Sequence, residues 1–122
     1  MAHYLDFKTN TDGRGHLTVI EKEIPFEIKR VFYVYGVSEE ETRGRHRHHK
    51  TIHALICLRG SCEVYVDNGV NKEVFPLDAP DKGLILLPED WHAMYNFSND
   101  ALLLALASEY YDPAEYIPEE YK

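Results

Sequence analysis

Basic residues are in short supply in this chain, and the shortage excludes one large class of partner. Thirteen lysines and arginines stand against 21 aspartates and glutamates, for a net charge of −8. Sequence-independent nucleic-acid binding needs the opposite balance. Long apolar runs are missing too, since none approaches the ~18 residues that span a bilayer. Met1 to Asn10 also lacks the charged-then-apolar pattern of a secretory leader, so the expectation is a cytoplasmic chain with no membrane partner. Cysteine is scarce: Cys57 and Cys62 have neither CxxC spacing nor enough companions for a disulfide framework, and both read as reduced structural residues. Repeats, low-complexity tracts and linkers are absent. A chain of 122 residues is long enough for one domain and too short for two, so a single domain over residues 1–122 is expected.

What is present is a succession of short apolar or alternating runs separated by turn residues. Leu17–Ile20, Val31–Tyr35, Ile52–Leu58, Cys62–Val66, Glu73–Leu77, Gly83–Leu87, Trp91–Phe97 and Ala101–Ala107 read as strands. Asn68-Gly69 between two of them is a two-residue hairpin signal, because both residues tolerate positive φ. Strands at this spacing, with hardly any helical pattern, predict an all-β sandwich or barrel. The one helical candidate is Pro113–Ile117, with Asp112 as cap and Pro113 at the first helical position. The polar tail Glu119–Lys122 is expected to fray. In Val31–Tyr35, Tyr33 and Tyr35 share one face and Phe32 and Val34 the other, and one of these faces must meet the interior.

The scarce basic residues are concentrated. Arg43, Arg45, Arg47 and Lys50 fall among His46, His48, His49 and His53. A local basic pocket on an acidic protein suits a small anionic ligand. His46 and His48 are two apart, which on an extended strand turns both imidazoles to one face. Far downstream, Gly83, Pro88 and His92 follow, then Asn96.

These spacings resemble the two motifs of the cupin superfamily, an HxH pair with a glycine beyond it (Gly60 here) and a later Gly, Pro and His. His53 departs from the pattern, standing where many cupins carry a glutamate. A closer resemblance rests on Arg43-Gly44-x-His46-x-His48, Cys57-Leu58-x-Gly60-Ser61-Cys62, Trp91-His92-x-Met94-Tyr95-x-Phe97 and Leu106-Ala107-Ser108-Glu109-Tyr110-Tyr111. It runs from about Asp6, through Arg14-Gly15 and Ile28-Lys29-Arg30-Val31, to Ile117. In these stretches the chain is similar to the dTDP-4-keto-6-deoxyglucose 3,4-ketoisomerases. That family implies an all-β cupin, a small jelly-roll or double-stranded β-helix barrel with a short C-terminal helical turn. It also implies a domain-exchanged homodimer that moves a sugar ketone from C4 to C3 without a metal or other cofactor, on a dTDP-linked keto sugar, in deoxysugar biosynthesis.

The residues suit that chemistry. A C3 proton beside a C4 ketone is acidic only if the enediolate is stabilised, and a neutral imidazole can remove and return such a proton near neutral pH. The resemblance makes His48 the candidate base at C3 and His46 the candidate for proton delivery at C4. Arg43 with Tyr33 or Tyr35 is expected to hold the oxyanion. Arg14 and Lys82 are candidates for the diphosphate, and His16, His92 and Tyr95 for the sugar. Two other readings stay open: a metal-dependent cupin with His46, His48, His53 and His92 as ligands, and a non-catalytic sugar-nucleotide-binding cupin.

Overall fold

The computed structural model describes all of residues 1–122, and apart from one short 3₁₀ turn its regular structure is entirely strands. In chain order these are β1 (His3–Asp6), β2 (Lys8–Asp12), β3 (Gly15–Val19), β4 (Arg30–Tyr35), β5 (Arg43–His48), β6 (His53–Arg59), β7 (Cys62–Asp67), β8 (Lys72–Leu77), β9 (Lys82–Leu86), β10 (Trp91–Tyr95), β11 (Leu102–Ala107) and β12 (Tyr116–Ile117). Two antiparallel five-stranded sheets face each other, in the orders β1-β9-β6-β11-β4 and β12-β5-β10-β7-β8, and β2 pairs only with β3 as a separate ribbon. The all-β cupin barrel expected from the sequence is the fold found. No helix of the protein is long and apolar enough to cross a membrane.

Period-two alternation builds the core. Leu55 and Cys57 of β6, Val64 and Val66 of β7, Leu84 and Leu86 of β9, and Leu103 and Ala105 of β11 meet between the sheets with Phe75, Leu77 and Phe97. The opposite faces of β6, β9 and β11 are apolar as well, because the N-terminal segment covers them. Ala54, Ile56, Ile85 and Leu106 pack there against Phe7 and Ile24. Two-sided burial explains why Ile52–Leu58 reads as a continuous apolar run rather than as an alternating one.

Several elements differ from the sequence expectation. β1, β2 and β5 are strands that polarity conceals: Lys8–Asp12 reads KTNTD and Arg43–His48 reads RGRHRH. The turn after β7 spans four residues rather than two, with Asn68 Oδ1 accepting from the amides of Val70 (2.9 Å) and Asn71 (2.7 Å). The helical turn is a 3₁₀ turn over Pro113–Glu115, capped by Asp112 as expected, and β12 begins directly after it. The tail is held down: Tyr121 donates to the Glu89 carbonyl at 2.7 Å, lies against Gly69, and carries the Arg47 guanidinium over its ring.

Candidate active site

β5 brings the basic and imidazole side chains into the barrel, and it does so through an irregularity. Its pairing with β10 runs His46 to His92 and then Gly44 to Ala93, so Arg45 is an extra residue. Gly44 has φ of +86° and Arg45 of +64°. Arg43 lies three positions before His46 and would face the other way on a regular strand. The bulge resets the parity, and both side chains line one cavity. A methyl on Gly44 would sit 3.1 Å from the His92 carbonyl oxygen, in a backbone conformation that strains an L-residue by about 1–2 kcal/mol. Gly44→Ala is therefore expected to lower the thermal midpoint by several degrees and to reduce turnover with it. Wild-type values of both would show that the bulge has no such role.

The cavity holds about 210 Å³ between the sheets. That is a space on the order of a hexose ring. One wall is polar, with Arg30, Arg43, His46, His53, His92 and Tyr116, and the floor is apolar, with Phe32, Val34, Leu55, Leu86, Met94 and Leu103 among its residues. His48 stands behind this wall. It borders a narrow crevice with Thr51 and Glu115, and Arg30, His53 and Tyr116 line both spaces. The two spaces therefore meet at those three side chains.

The imidazoles touch one another. Ring centroids are 4.9 Å apart for His46 and His48, 5.0 Å for His46 and His92, and 4.7 Å for His48 and His53. Tyr116 packs edge-on against both His46 (4.6 Å) and His48 (4.9 Å). His53 comes inward because the chain bends at His49-Lys50 and enters the other sheet, which cancels the parity change between positions 48 and 53. That bend is pinned by Glu115. Its Oε1 accepts from the Lys50 amide (2.9 Å), the Thr51 amide (2.8 Å) and the Thr51 hydroxyl (2.5 Å), and its carbonyl accepts from the His49 amide at 3.2 Å. The His92 ring donates through Nδ1 to the Asp90 carbonyl at 3.0 Å, leaving Nε2 as its lone-pair nitrogen. His53 Nδ1 is buried without a partner. Although the four imidazoles are neighbours, no three of these side chains converge as metal ligands.

Burial keeps these rings neutral. It is the main cause that pushes His48 from 6.5 down to about 4, with the His46 and Arg30 charges adding to it and Glu115 opposing. Burial likewise pushes His53 down to about 2 and His92 to about 3. His46 is lowered by burial, against a hydrogen bond to the Gly44 backbone. Burial alone would raise Glu115, but its bonds from Thr51 and Lys50 outweigh that and hold it low.

The unfolded chain therefore binds more protons than the folded one below pH 6.5. The stability carried by the neutral histidines is complete above that pH and drains as the pH falls toward about 4 and beyond. Thermal melts are expected to be flat between pH 7 and 8 and to drop steadily below 6.5. A midpoint that rises on acidification would contradict this.

The structure thus gathers His46, His48, His53, His92 and Arg43. The other expected residues lie elsewhere in the chain. Tyr33 and Tyr35 occupy the outer face of β4, 61% and 69% exposed, because Phe32 and Val34 take the inner one. Tyr95 alternates with His92 and Met94 and so faces away from the cavity. Arg14 is paired with Asp12 at the tip of the β2–β3 ribbon, and His16 Nδ1 bonds Thr11 Oγ1 on the same ribbon. Lys82 lies over the Tyr4 ring. None of these six lines the cavity. The sequence reading missed Tyr116, Arg30 and Glu115 as site residues. Arg30 was within reach, since it shares strand parity with Phe32 and Val34.

Barrel, bulge and inward-facing imidazoles define a small cupin whose interior is built for a sugar-sized ligand. A family model described as FdtA, WxcM-like, C-terminal, matches residues 2–122. The chain belongs to that family. It is 46% identical over 115 residues, 93% of this chain and 83% of the other, to a TDP-4-oxo-6-deoxy-α-D-glucose 3,4-oxoisomerase of Aneurinibacillus thermoaerophilus. Among solved structures, a histidine-to-asparagine mutant of the 3,4-ketoisomerase QdtA from Thermoanaerobacterium thermosaccharolyticum, in complex with TDP-4-keto-6-deoxyglucose, superposes with a TM-score of 0.93 at 40% identity, covering 97% of this chain and 87% of that one. The TDP-quinovose 3,4-ketoisomerase WlaRB of Campylobacter jejuni matches with a TM-score of 0.93 at 41% identity, covering 97% and 92%.

Proposed function

We propose that the barrel converts dTDP-4-keto-6-deoxy-D-glucose to a dTDP-3-keto-6-deoxyhexose through an enediolate, with His48 as base and His46 as proton donor. The protein is a sugar-nucleotide 3,4-ketoisomerase of deoxysugar biosynthesis. One observation carries the assignment of roles: His46 lines a hexose-sized cavity with cationic side chains on its wall, and the neutral His48 ring touches it from the crevice that opens beside that cavity.

His48 takes the C3 proton where the cavity and the crevice meet, and the C–H electron pair becomes the C3=C4 double bond as the carbonyl pair moves onto O4. A proton passes from O3 to O4. The proton held by His48 is exchanged through solvent for one on His46, which delivers it to C4 as C3 becomes the carbonyl carbon, and both imidazoles end neutral as they began. No atom is gained or lost. The apolar floor suits the C6 methyl of a deoxy sugar and keeps water off the enediolate. The Tyr116 phenol, in contact with both imidazoles, takes the place that Tyr33 or Tyr35 was expected to fill.

The sugar-sized cavity supports a placement with the sugar inside and the nucleotide beyond its mouth. A homodimer belongs to the same proposal. Val31, Tyr33 and Tyr35 make an apolar stripe on the outer face of an edge strand, 58%, 61% and 69% exposed, and a second copy would cover it. A cytoplasmic place fits two cysteines that are free thiols. Incubation with the 4-keto substrate, followed by carbon NMR, is expected to show the carbonyl resonance move from C4 to C3. Unchanged substrate, from folded protein that binds TDP, would leave the binding reading in its place. Sedimentation is expected to give twice the chain mass, and a monomer at micromolar concentration would contradict the dimer.

A further inference from the structure

Arg30 opens β4 on the inward parity shared with Phe32 and Val34. Its guanidinium lies 4.3 Å from the Phe32 ring centroid and 5.0 Å from that of Tyr111, so two aromatic rings fix its position. No carboxylate neutralises it. The ion pairs of the protein are Arg14 with Asp12, and Lys29 and Lys50 with Glu109. Three carboxylates line the crevice with Arg30, and none lies within ion-pair distance of it: Glu109 is taken up by the two lysines beside it, Glu115 accepts from Lys50 and Thr51, and Asp112 caps the 3₁₀ turn through the Ala114 amide. In a chain with 21 acidic residues, an arginine inside the barrel without a partner carboxylate presents a fork of N–H donors to whatever enters.

Its place decides which anion that is. Arg30 lines both the cavity and the crevice, at the junction it shares with His53 and Tyr116, and His48 lies on the crevice side of that junction. Arg43 stands on the exposed start of β5, on the cavity side alone. With only a hexose ring inside, the reacting carbons lie beside the imidazoles and the diphosphate, attached through C1, lies toward the outside. We propose that Arg30, rather than Arg43, holds the enediolate oxygen that forms when His48 removes the C3 proton. This rests on the ketoisomerase reading above. Arg30 binds the oxygen at O4 as the carbonyl π pair moves onto it and keeps contact while the proton passes from O3. It takes no proton itself, since a guanidinium stays charged throughout.

The test uses the full-length protein with Arg30→Gln and Arg30→Lys. A developing oxyanion that loses its main donor costs about 10²–10³ in kcat. Arg30→Gln is expected to lose that much while TDP binds within threefold of wild type. Arg30→Lys, which keeps the charge but not the fork, is expected to fall between, and it also serves if the glutamine variant fails to fold by circular dichroism. A kcat within fivefold of wild type in the folded variants would overturn the inference. So would a tenfold weaker TDP affinity with kcat preserved, which would assign Arg30 to the diphosphate. Wild-type protein that does not turn over the substrate would instead sink the ketoisomerase reading, so the two failures are distinguishable.

Discussion

Asparagine in place of His48 stops turnover and leaves the barrel folded with TDP still bound. Nothing else at the junction can take the C3 proton. His53 is held neutral but pushed down to about 2, His46 is committed to C4, and Glu115 spends its Oε1 on the Thr51 and Lys50 donors. Loss of a positioned base costs about 10²–10⁴-fold in kcat. Asparagine is close to imidazole in polarity and smaller in volume, and His48 lies behind the cavity wall, so the nucleotide contacts outside are untouched. Steady-state assays beside TDP titrations separate the two effects. Activity within tenfold of wild type would show that His48 is not the base.

The second large effect is on stability. Glu115→Ala removes the acceptor of three donors, two of them from the buried Thr51. Each buried donor left without a partner costs about 1–3 kcal/mol, so a loss of about 3 kcal/mol or more is expected. For a chain of this size that corresponds to a thermal midpoint roughly 10 °C lower. Glu115→Gln keeps an acceptor oxygen and is expected to recover most of the loss. Equal melting of wild type and the alanine variant would mean that the bend between β5 and β6 holds by itself. Activity is expected to fall with stability in the alanine variant, because the bend carries His48 at one end and His53 at the other.

These expectations rest on parts of the molecule that the sequence reveals unequally. Strands with an apolar face announce themselves, and so β6, β7, β9 and β11 are legible from apolar runs and turn chemistry alone. β5 is the opposite case. Its inward residues are the site, so Arg43, His46 and His48 replace the apolar pattern that would mark it as a strand. The bulge at Gly44-Arg45 is invisible for a related reason: it is a matter of register against β10, and no composition encodes it. In β4 the alternation is plain and the choice of face is the difficulty. Aromatic phenols make Tyr33 and Tyr35 attractive for chemistry, yet Phe32 and Val34 bury more cheaply and carry Arg30 inward with them. Glu115 could not be read at all, because its partners are backbone groups 64 and 65 positions upstream. Tyr116 stays hidden for as long as Pro113–Ile117 is taken as a helical turn rather than a turn that ends in a strand beside β5.

The most direct test of the central claim is proton NMR in deuterated buffer with dTDP-4-keto-6-deoxy-D-glucose and wild-type enzyme. A base at C3 and a donor at C4 that exchange with solvent predict a 3-keto product carrying deuterium at C4, with the remaining couplings reporting the new configuration. A 3-keto product that retains the original proton, moved from C3 to C4 without exchange, would contradict the two-histidine enediolate route.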